Sequence, residues 1–484
     1  MEFPVHLDRA HARSLQWQLT EQLKQAMLDG RLSAGARIPS TRSMAQTLRV
    51  SRNVVLAAYD ELFAEGYIIG RHGSGTYVVD DLPAPSRVGS TIPVGRPRWL
   101  RRPAPPTTFD MPVTNARIDF RVGQPSMEPL PERIWRHLWR EMSADVPPDY
   151  YGPPAGYPEL RAAIAGYLNR SRGIACDAED LVVTSGASQA IDLIGRATLL
   201  PGDAVAFEEP GYPVSRCALL LNGATVVPVP VDEDGLQVDA LQRLPQAPTL
   251  AFVSPSHQYP TGARMSVARR LALLDWAREH DSLIVEDDYD SEFRFDAAPL
   301  PALAGLDNDG RVVYVGTFSK MLTPAIRVGY VLAPPLLRER IIQIKRLSDF
   351  HTSWPVQRVL TRFLQTGLLE THIRRMRRHY AEKRALLAAQ LEPVTDLARL
   401  RGFEAGLHAF VELAPHVSHD EVMERALAIG VGVTTIDEYF YGPTRLNGIL
   451  LGYGGLNHAQ IREGGRLLVG VIAQLAGERR IAAD

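Results

Sequence analysis

Apolar positions in the first part of the chain follow helical spacing and then switch to alternation. In "SLQWQLTEQLKQAMLDG" apolar residues recur every three or four positions, which predicts an amphipathic helix that ends at Gly30. Two shorter helices are predicted at about 41–48 and 52–65, with Ser51 as the N-cap of the second. "YIIGRHGSGTYVV" then alternates like a β-hairpin. This order predicts a winged helix-turn-helix in residues 1–80.

From residue 118 onward, short β-like runs alternate with helical stretches. The runs are "LVVT" at 181, "AVAFEE" at 204, "TVVPV" at 225, "LAFVS" at 250, "LIVED" at 283, "VVYVG" at 312 and "VGYVLA" at 328. This alternation predicts an α/β domain with a mostly parallel sheet, and ligands of such sheets bind beyond the carboxyl ends of the strands. The last part, about 361–484, is mainly helical with "AGLHAFVEL" and "NGILLGY" as isolated strands, which indicates a smaller α+β subdomain.

Between these regions, residues 81–117 contain eight prolines and little apolar periodicity. Such a composition predicts an extended, semi-rigid tether. The arginines of the tether are either solvated charge or a source of nonspecific attraction to DNA. The predicted domains are therefore 1–80, 81–117 and 118–484, the last with a small subdomain at about 361–484.

Composition narrows the class of protein. The 484 residues carry a net charge of −2, which excludes a strongly basic protein that coats nucleic acid but not a locally basic module. Two cysteines exclude a disulfide framework and a cysteine-rich metal site, and no metal site is predicted. The sequence has neither a signal peptide pattern nor an apolar run long enough for a membrane span. We expect a cytoplasmic protein.

One stretch is locally basic. Residues 31–59 contain five arginines (Arg31, Arg37, Arg42, Arg49 and Arg52) and no acidic residue, so phosphates would favour this surface. In the helix-turn-helix mode the start of the second helix meets base edges, which directs Ser51, Arg52 and Asn53 to the major groove. Arg71 and His72 would lie on the wing. A small helical bundle with a solvated arginine face would show the same pattern.

The use of lysine is unusually sparse. Only Lys24, Lys320, Lys345 and Lys383 occur among 53 basic residues, so 53 − 4 = 49 are arginine. Lys320 directly follows the apolar run "VVYVG", whereas the other three lie in helix-like stretches. Arginine cannot lose its proton in a protein. Lys320 is therefore the candidate for chemistry that requires a neutral amine.

Other candidate groups follow the predicted strands. "TSGASQAIDL" opens a helix whose N-terminus would hold a phosphate, although it also fits an ordinary strand-to-helix turn. Tyr212, in "EEPGYPVS", is either a stacking ring or a core residue. "LIVEDDYDSEF" puts Asp287 and Tyr289 on one side of a strand, unless the run is an acidic solvated loop.

Taken together, these groups match the needs of pyridoxal 5′-phosphate. This cofactor uses a lysine amine for a Schiff base, a carboxylate at the pyridine nitrogen, a donor at the phenolate oxygen, an aromatic stacking partner and a phosphate cup. Lys320 supplies the amine, and a nearby cation such as Arg327 favours its neutral form. Asp287 would keep the pyridine nitrogen protonated.

The whole chain resembles the MocR family, also called GabR-type regulators, in which a GntR-like winged helix is fused to an aminotransferase-like domain of fold type I. The stretches that carry the resemblance are "IPSTRSMAQTL", "VSRNVVLAAYDELFAEGYI", "GSGTYV", "YGPPAGYPELRAAIAGYL", "SGASQAIDL", "EEPGYP", "PSHQYPTG", "VEDDYDSEF" and "GTFSKMLTPAIRVGY".

The resemblance implies a role for each matching residue. It implies that Lys320 forms the Schiff base, that Asp287 pairs with the pyridine nitrogen and that Tyr289 binds the phenolate oxygen. It implies that Tyr212 stacks on the ring, and that Tyr151 reaches the phosphate of a partner subunit in a head-to-tail homodimer. The implied phosphate cup consists of Ala187, Ser188, Thr317, Ser319 and Arg327.

Two positions depart from working aminotransferases of this fold. Tyr259 stands before "PTG" where those enzymes usually have asparagine, and Leu450 stands where they carry the arginine that grips a substrate carboxylate. A bidentate partner for a carboxylate is thus missing. The γ-aminobutyrate sensor has a second arginine soon after the stacking aromatic, whereas here Arg216 lies four residues after Tyr212.

These observations favour a transcriptional regulator that binds double-stranded operator DNA and senses a small-molecule effector. The missing carboxylate partners suggest pyridoxal phosphate itself as the effector, as in family members that control vitamin B6 synthesis; an amino compound is the other possibility. One alternative is a genuine aminotransferase with an accessory DNA-binding domain. Another is a DNA-binding protein with a degenerate, cofactor-free domain.

Overall fold

The structure, a computed structural model, describes residues 5–71, 73–82, 115–295 and 300–483. It contains two compact units, one within residues 1–103 and one within residues 104–484. His72 and most of the predicted tether lie outside the described residues.

The first unit is a three-helix winged fold. Its elements are α1 (Leu15–Leu28), β1 (Arg37–Ile38), α2 (Thr41–Leu48), α3 (Arg52–Ala64), β2 (Ile68–Arg71) and β3 (Gly75–Val78). The Ser51 hydroxyl accepts a hydrogen bond from the Val54 amide, so the predicted N-cap of α3 is present. The two-residue strand β1 pairs antiparallel with β3 and adds a third strand to the hairpin β2–β3. Leu19, Leu23, Val55 and Leu62 fill the core.

The second unit is the predicted α/β domain. Its strands are β4 (Ile118–Asp119), β5 (Leu181–Thr184), β6 (Ala204–Glu209), β7 (Thr225–Asp232), β8 (Gly235–Leu236), β9 (Leu250–Val253), β10 (Leu283–Asp288), β11 (Val312–Thr317), β12 (Gly329–Leu332), β13 (Ala398–Arg401), β14 (His408–Leu413), β15 (Val431–Gly432), β16 (Thr434–Thr435) and β17 (Gly448–Gly452).

The helices of this unit cover both faces of its main sheet and pack on a smaller one. They are α4 (Glu132–Ala144), α5 (Pro158–Ser171), α6 (Ala187–Thr198), α7 (Pro213–Leu221), α8 (Val238–Gln242), α9 (Val267–Glu279), α10 (Pro335–Ser348), α11 (Trp354–Gln365), α12 (Leu368–Leu391), α13 (His419–Ala428) and α14 (His458–Ala483). None of the described helices is long and apolar enough to cross a membrane.

The main sheet has eight strands in the order β5-β12-β11-β10-β9-β6-β7-β8. All seven strands predicted from the apolar runs take part in it, and the prediction of a mostly parallel sheet is confirmed. Strand β12 runs antiparallel between β11 and β5, and β8 runs antiparallel to β7. The carboxyl ends of β5, β6, β9, β10 and β11 therefore share one edge.

The smaller sheet has the order β13-β14-β17-β16 and packs against α12, α13 and α14. The two predicted strands of this region correspond to β14 and β17. Strand β15 pairs with β4, which brings residues 118–119 to the C-terminal part of the chain. Ile118 and Phe120 accordingly lie in the core of the small subdomain rather than in the main sheet.

Candidate functional site

A cavity of about 310 Å³ opens at the carboxyl edge of the main sheet. Its walls come from the turns that follow β5, β6, β10 and β11 and from the segment after β4. Nine of the ten residues predicted to bind the cofactor line this one cavity: Ala187, Ser188, Tyr212, Asp287, Tyr289, Thr317, Ser319, Lys320 and Arg327. Proximity in the fold was predicted for these residues, whereas their roles toward a ligand stay predictions.

Lys320 enters the cavity from the turn after β11. The Ser319 amide donates to the Thr317 hydroxyl at 3.2 Å, which bends the chain as the strand ends. The Lys320 ammonium donates to the Gly123 carbonyl at 2.7 Å, and a Cβ at Gly123 would lie 3.0 Å from Nζ. Burial lowers the pKa of Lys320, Arg327 lowers it further, and Asp290 and Asp287 oppose this effect. The amine is thereby biased toward its neutral form.

Asp287 is the second-last residue of β10. It is 6% exposed, and its Oδ1 has no hydrogen-bond partner within the described residues. Burial raises the pKa of Asp287 to about 7, with Asp288 and Asp290 adding to the rise and Lys320 opposing it. A buried carboxyl with a free oxygen and a raised pKa fits a cationic N–H group, because such a partner would restore the ionised form. A protonated pyridine nitrogen is a group of this kind.

Three tyrosines form an aromatic wall of the cavity. The ring centroids of Tyr212 and Tyr259 are 5.2 Å apart at 82°, and those of Tyr259 and Tyr289 are 5.6 Å apart at 89°. These edge-to-face contacts fix the ring planes. The hydroxyl of Tyr289 lies 3.0 Å from Nδ1 of His257.

An anion cradle lies at the N-terminus of α6. Gly186 precedes this helix with φ +92°, and a Cβ there would lie 2.7 Å from Nη2 of Arg327. Arg327 donates to the Ser185 carbonyl at 2.9 Å. The helix N-terminus, the guanidinium and the hydroxyls of Ser188 and Ser319 supply the donors that a phosphate requires.

Tyr151 does not line the cavity. Its side chain is 71% exposed, and its ring stacks on Phe350 with centroids 4.5 Å apart. An ordered, exposed tyrosine is compatible with the predicted contact to a partner subunit, and that role stays a prediction.

The position predicted to match the carboxylate-gripping arginine of aminotransferases lies among apolar and aromatic side chains. Leu450 is fully buried in a cluster with Tyr259, Tyr439, Phe410 and Ile436. Arg216 does not compensate, because it is not among the lining residues. Instead Nη1 of Arg216 donates to the Tyr439 carbonyl at 3.2 Å, and the guanidinium lies 5.4 Å from the Tyr441 ring. Among the described residues that line the cavity, Arg327 is the one arginine.

Several residues of this site were not predicted from the sequence. Gly123, Gln124, His408 and Asp290 line the cavity, and His257 lies directly behind Tyr289. Two of them could have been noticed, because His257 and Asp290 stand inside the stretches "PSHQYPTG" and "VEDDYDSEF" that carry the family resemblance. Nothing in the sequence indicated that these two stretches contact one another.

The winged unit presents residues predicted to contact DNA on α2 and at the start of α3. Arg42, Ser51, Arg52 and Asn53 are exposed, and Nε of Arg52 lies 3.4 Å from the Thr41 hydroxyl. On the wing, Arg71 lies 3.3 Å from the Asp80 carboxylate and 4.8 Å from the centre of the Tyr77 ring. An arginine held this way is ordered but already paired, so its contribution to DNA binding stays a prediction.

Comparison with known proteins assigns a family to each unit. Residues 15–78 match the family of bacterial regulatory proteins called gntR, and residues 117–446 match aminotransferase class I and II. A solved structure of similar fold is the multiple substrate aminotransferase from Thermococcus profundus, with a TM-score of 0.70 and 30% identity over 76% of this chain and 93% of that one. The fold prediction is confirmed.

Curated relatives match along nearly the whole chain. "Probable rhizopine catabolism regulatory protein MocR" of Rhizobium meliloti is 37% identical and the match covers 95% of this chain and 94% of the relative. The "HTH-type pyridoxine biosynthesis transcriptional regulator PdxR" of Corynebacterium glutamicum is 32% identical over 95% of this chain and 96% of the relative. Both are named as regulators rather than enzymes. The chain therefore belongs to the MocR-type transcriptional regulators, which join a gntR-family winged helix to an aminotransferase class I and II domain.

Proposed function

We propose that this protein is a pyridoxal-phosphate-dependent regulator that binds operator DNA through its winged helix and senses a small molecule in the cavity at the sheet edge. One observation carries the proposal: a lysine whose pKa is lowered by burial, a buried carboxyl whose Oδ1 has no partner within the described residues, and an anion cradle line the same cavity. We also propose the division into a winged domain at 1–80, a tether at 81–117 and a cofactor domain at 118–484. A DNA-binding regulator of bacterial type would act in the cytoplasm.

The residues of the cavity fit pyridoxal phosphate. Lys320 would hold the aldehyde carbon covalently, Asp287 the pyridine nitrogen, and Tyr212 one ring face. The donors around Ser188 and Arg327 would hold the phosphate. When bound, this cofactor supplies an aldehyde that captures amines and a ring that withdraws electrons.

We further propose that pyridoxal phosphate is itself the effector. The buried cluster around Leu450 provides no cation for a substrate carboxylate, so the cavity offers an amino acid little beyond what the cofactor already uses. To test this, operator fragments selected by the purified protein are titrated against cofactor-free protein with and without pyridoxal phosphate. We expect operator affinity to change with the cofactor alone. An unchanged affinity, followed by a response to an added amino compound, would assign the effector role to that compound.

The same cluster argues against fast transamination. Without a bidentate partner, the carboxylate of an ordinary amino acid would be desolvated and unpaired near Leu450. We expect no steady-state turnover with a panel of amino donors and keto acids. Sustained turnover with several donors would favour the alternative function, a genuine aminotransferase with an accessory DNA-binding domain.

We propose a head-to-tail homodimer with Tyr151 of each subunit at the other subunit's phosphate. Its exposed ring, stacked on Phe350, has no role in its own cavity. Sedimentation equilibrium is expected to show a dimer, and Tyr151→Phe is expected to weaken cofactor binding. A monomer that binds the cofactor with unchanged affinity would contradict this arrangement.

The DNA contact is tested by Arg52→Ala. A guanidinium at the start of α3 that reads a base edge is worth about 1–3 kcal/mol, which is roughly 5- to 150-fold in affinity. We expect a loss of that size in gel-shift titrations with the selected operator. Arg13→Ala is the control, because Arg13 is an exposed arginine of the same unit that packs on Trp17 and was not predicted to contact DNA. Equal losses of operator affinity in both variants would show that Arg52 contributes only general electrostatic attraction to DNA.

A further inference from the structure

Behind Tyr289 lies a buried ion pair that the proposed function does not use. His257 follows β9 and Asp290 follows β10, and both are nearly inaccessible to solvent, at 2% and 1% exposed. Nδ1 of His257 lies 3.0 and 3.2 Å from the two carboxylate oxygens of Asp290. On the other side of the ring, Nε2 lies 3.2 Å from the Gly402 carbonyl. The imidazole therefore has a partner at each nitrogen.

The partners of the two ring nitrogens indicate which of these nitrogens carry a hydrogen. The Gly402 carbonyl can only accept, so Nε2 carries a hydrogen; Nδ1 faces a carboxylate and carries one as well. Burial by itself would lower the pKa of His257, but the attraction of Asp290 and the hydrogen bond to it outweigh burial, and the pKa is raised. Both ring nitrogens of His257 thus face acceptors, which is the arrangement that an imidazolium paired with a carboxylate requires.

The remaining neighbours do not reverse this assignment. Arg294 acts against the charge on His257 but is outweighed. The His408 ring lies 5.2 Å away, and burial followed by the proximity of His257 lowers the pKa of His408 to about 3, so it is neutral. A Cβ at Gly406 would lie 2.2 Å from Cε1 of His257, so the glycine permits the pair to pack this closely.

The charge state of His257 fixes the orientation of the Tyr289 hydroxyl. The Tyr289 oxygen lies 3.0 Å from Nδ1 of His257. Since Nδ1 carries a hydrogen that faces the Asp290 carboxylate, Nδ1 has no lone pair with which to accept from the phenol, so the Tyr289 hydroxyl keeps its own hydrogen for another acceptor. A neutral imidazole with a bare Nδ1 would instead accept that hydrogen and turn it away from the cavity.

We propose that His257 and Asp290 are positioning residues that keep the Tyr289 hydroxyl hydrogen directed into the cavity. This inference rests on the proposed function, which puts the phenolate oxygen of pyridoxal phosphate in front of Tyr289. The chain itself thereby holds one proton ready at Tyr289 Oη for an oxygen anion, before any ligand arrives.

The test is a pH titration of the visible absorption of cofactor-loaded protein. A hydrogen bond donated to the phenolate favours the form without a proton on the lysine nitrogen, so its loss raises the pH midpoint. We expect Asp290→Asn to raise the midpoint by about one pH unit. The replacement removes the carboxylate charge and lets His257 become neutral, so the pair loses one charge of each sign and its net charge does not change. His257→Gln, which cannot be an imidazolium, is expected to shift the midpoint in the same direction.

Further variants show whether Asp290 acts through the Tyr289 hydroxyl or through a general effect on the cavity. Tyr289→Phe is expected to raise the midpoint by itself, and adding Asp290→Asn to it should then give no further shift. An additive shift in the double variant would overturn the proposal. His280→Gln is the control, because His280 sits at the end of α9 with Nδ1 on the Trp276 carbonyl, and no shift is expected.

A measurement on cofactor-free protein tests the state of the His257–Asp290 pair separately from the proposed function. In cofactor-free protein labelled with 15N-histidine, NMR at about pH 6.5, the usual pKa of histidine, should show both nitrogens of His257 predominantly protonated, and only one of them in Asp290→Asn. A neutral His257 in the unmodified protein would overturn the inference. Failure of the unmodified protein to take up pyridoxal phosphate would instead overturn the proposed function, while the NMR result would still decide the state of the pair.

Discussion

We expect Lys320→Ala to abolish the covalent attachment of pyridoxal phosphate, which borohydride reduction makes permanent. The expectation is all-or-none, because only a primary amine forms the reducible link and the remaining cavity donors bind without a covalent bond. Lys320 donates to the Gly123 carbonyl at 2.7 Å inside the cavity, and burial lowers its pKa, which favours the neutral amine that attacks an aldehyde. Mass spectrometry of the reduced, digested protein measures the attachment.

The small number of lysines makes this result easy to assign. Lys24, Lys345 and Lys383 are the other three, and Lys24 lies in the winged unit, where it pairs with Glu65. Lys24→Arg is the control and should retain full attachment at Lys320. Attachment that persists in Lys320→Ala at a single other lysine would contradict the assignment of the site.

Arg172→Leu destabilises the second unit by about 3–5 kcal/mol, because it leaves a buried charge without its partner. The Arg172 guanidinium lies 2.6 Å from the Asp288 carboxylate, and the two side chains are 4% and 2% exposed. Tyr314 also donates to Asp288, at 2.5 Å. Asp288 precedes Tyr289 on the chain, so the pair supports the strand end that presents the cavity residues. The measurement is urea denaturation followed by tryptophan fluorescence.

The control for this prediction is Arg170, near the end of α5, the helix that Arg172 directly follows. Arg170 pairs with Glu370 at 2.8 Å, but the two side chains are 62% and 29% exposed. A solvent-exposed pair contributes about 0–1 kcal/mol, so Arg170→Leu should change the free energy of unfolding little. Equal losses for the two variants would show that the cost comes from the helix rather than from burial of the charge.

Local sequence patterns were sufficient to predict most of the helices and strands and most of the residues proposed to bind the cofactor. Each apolar run became a strand of the main sheet, and residues that follow parallel strands meet at one edge for geometric reasons. Lys320, Asp287 and Tyr212 could therefore be predicted to lie together without knowing any contact between them. The short strands β1 and β15 could not, because two residues carry no periodicity.

Contacts between distant segments were decided by the tertiary structure alone. Strand β4 pairs with β15 more than 300 residues later along the chain, and His257 meets Gly402 only because the small subdomain packs against the main sheet. Arginines are mostly exposed in proteins, yet Arg172 is buried against Asp288.

The sequence by itself determined which side of each element is apolar, where strands end and which residue types follow them, since these properties depend on neighbours within a few positions. The tertiary structure decided which of those residues pair, which are desolvated and therefore which protons they hold. The raised pKa of His257 and the unpartnered Oδ1 of Asp287 within the described residues belong to this second class. The physical reason is that burial and hydrogen bonding depend on everything packed around a group, and the chain brings those neighbours from many places.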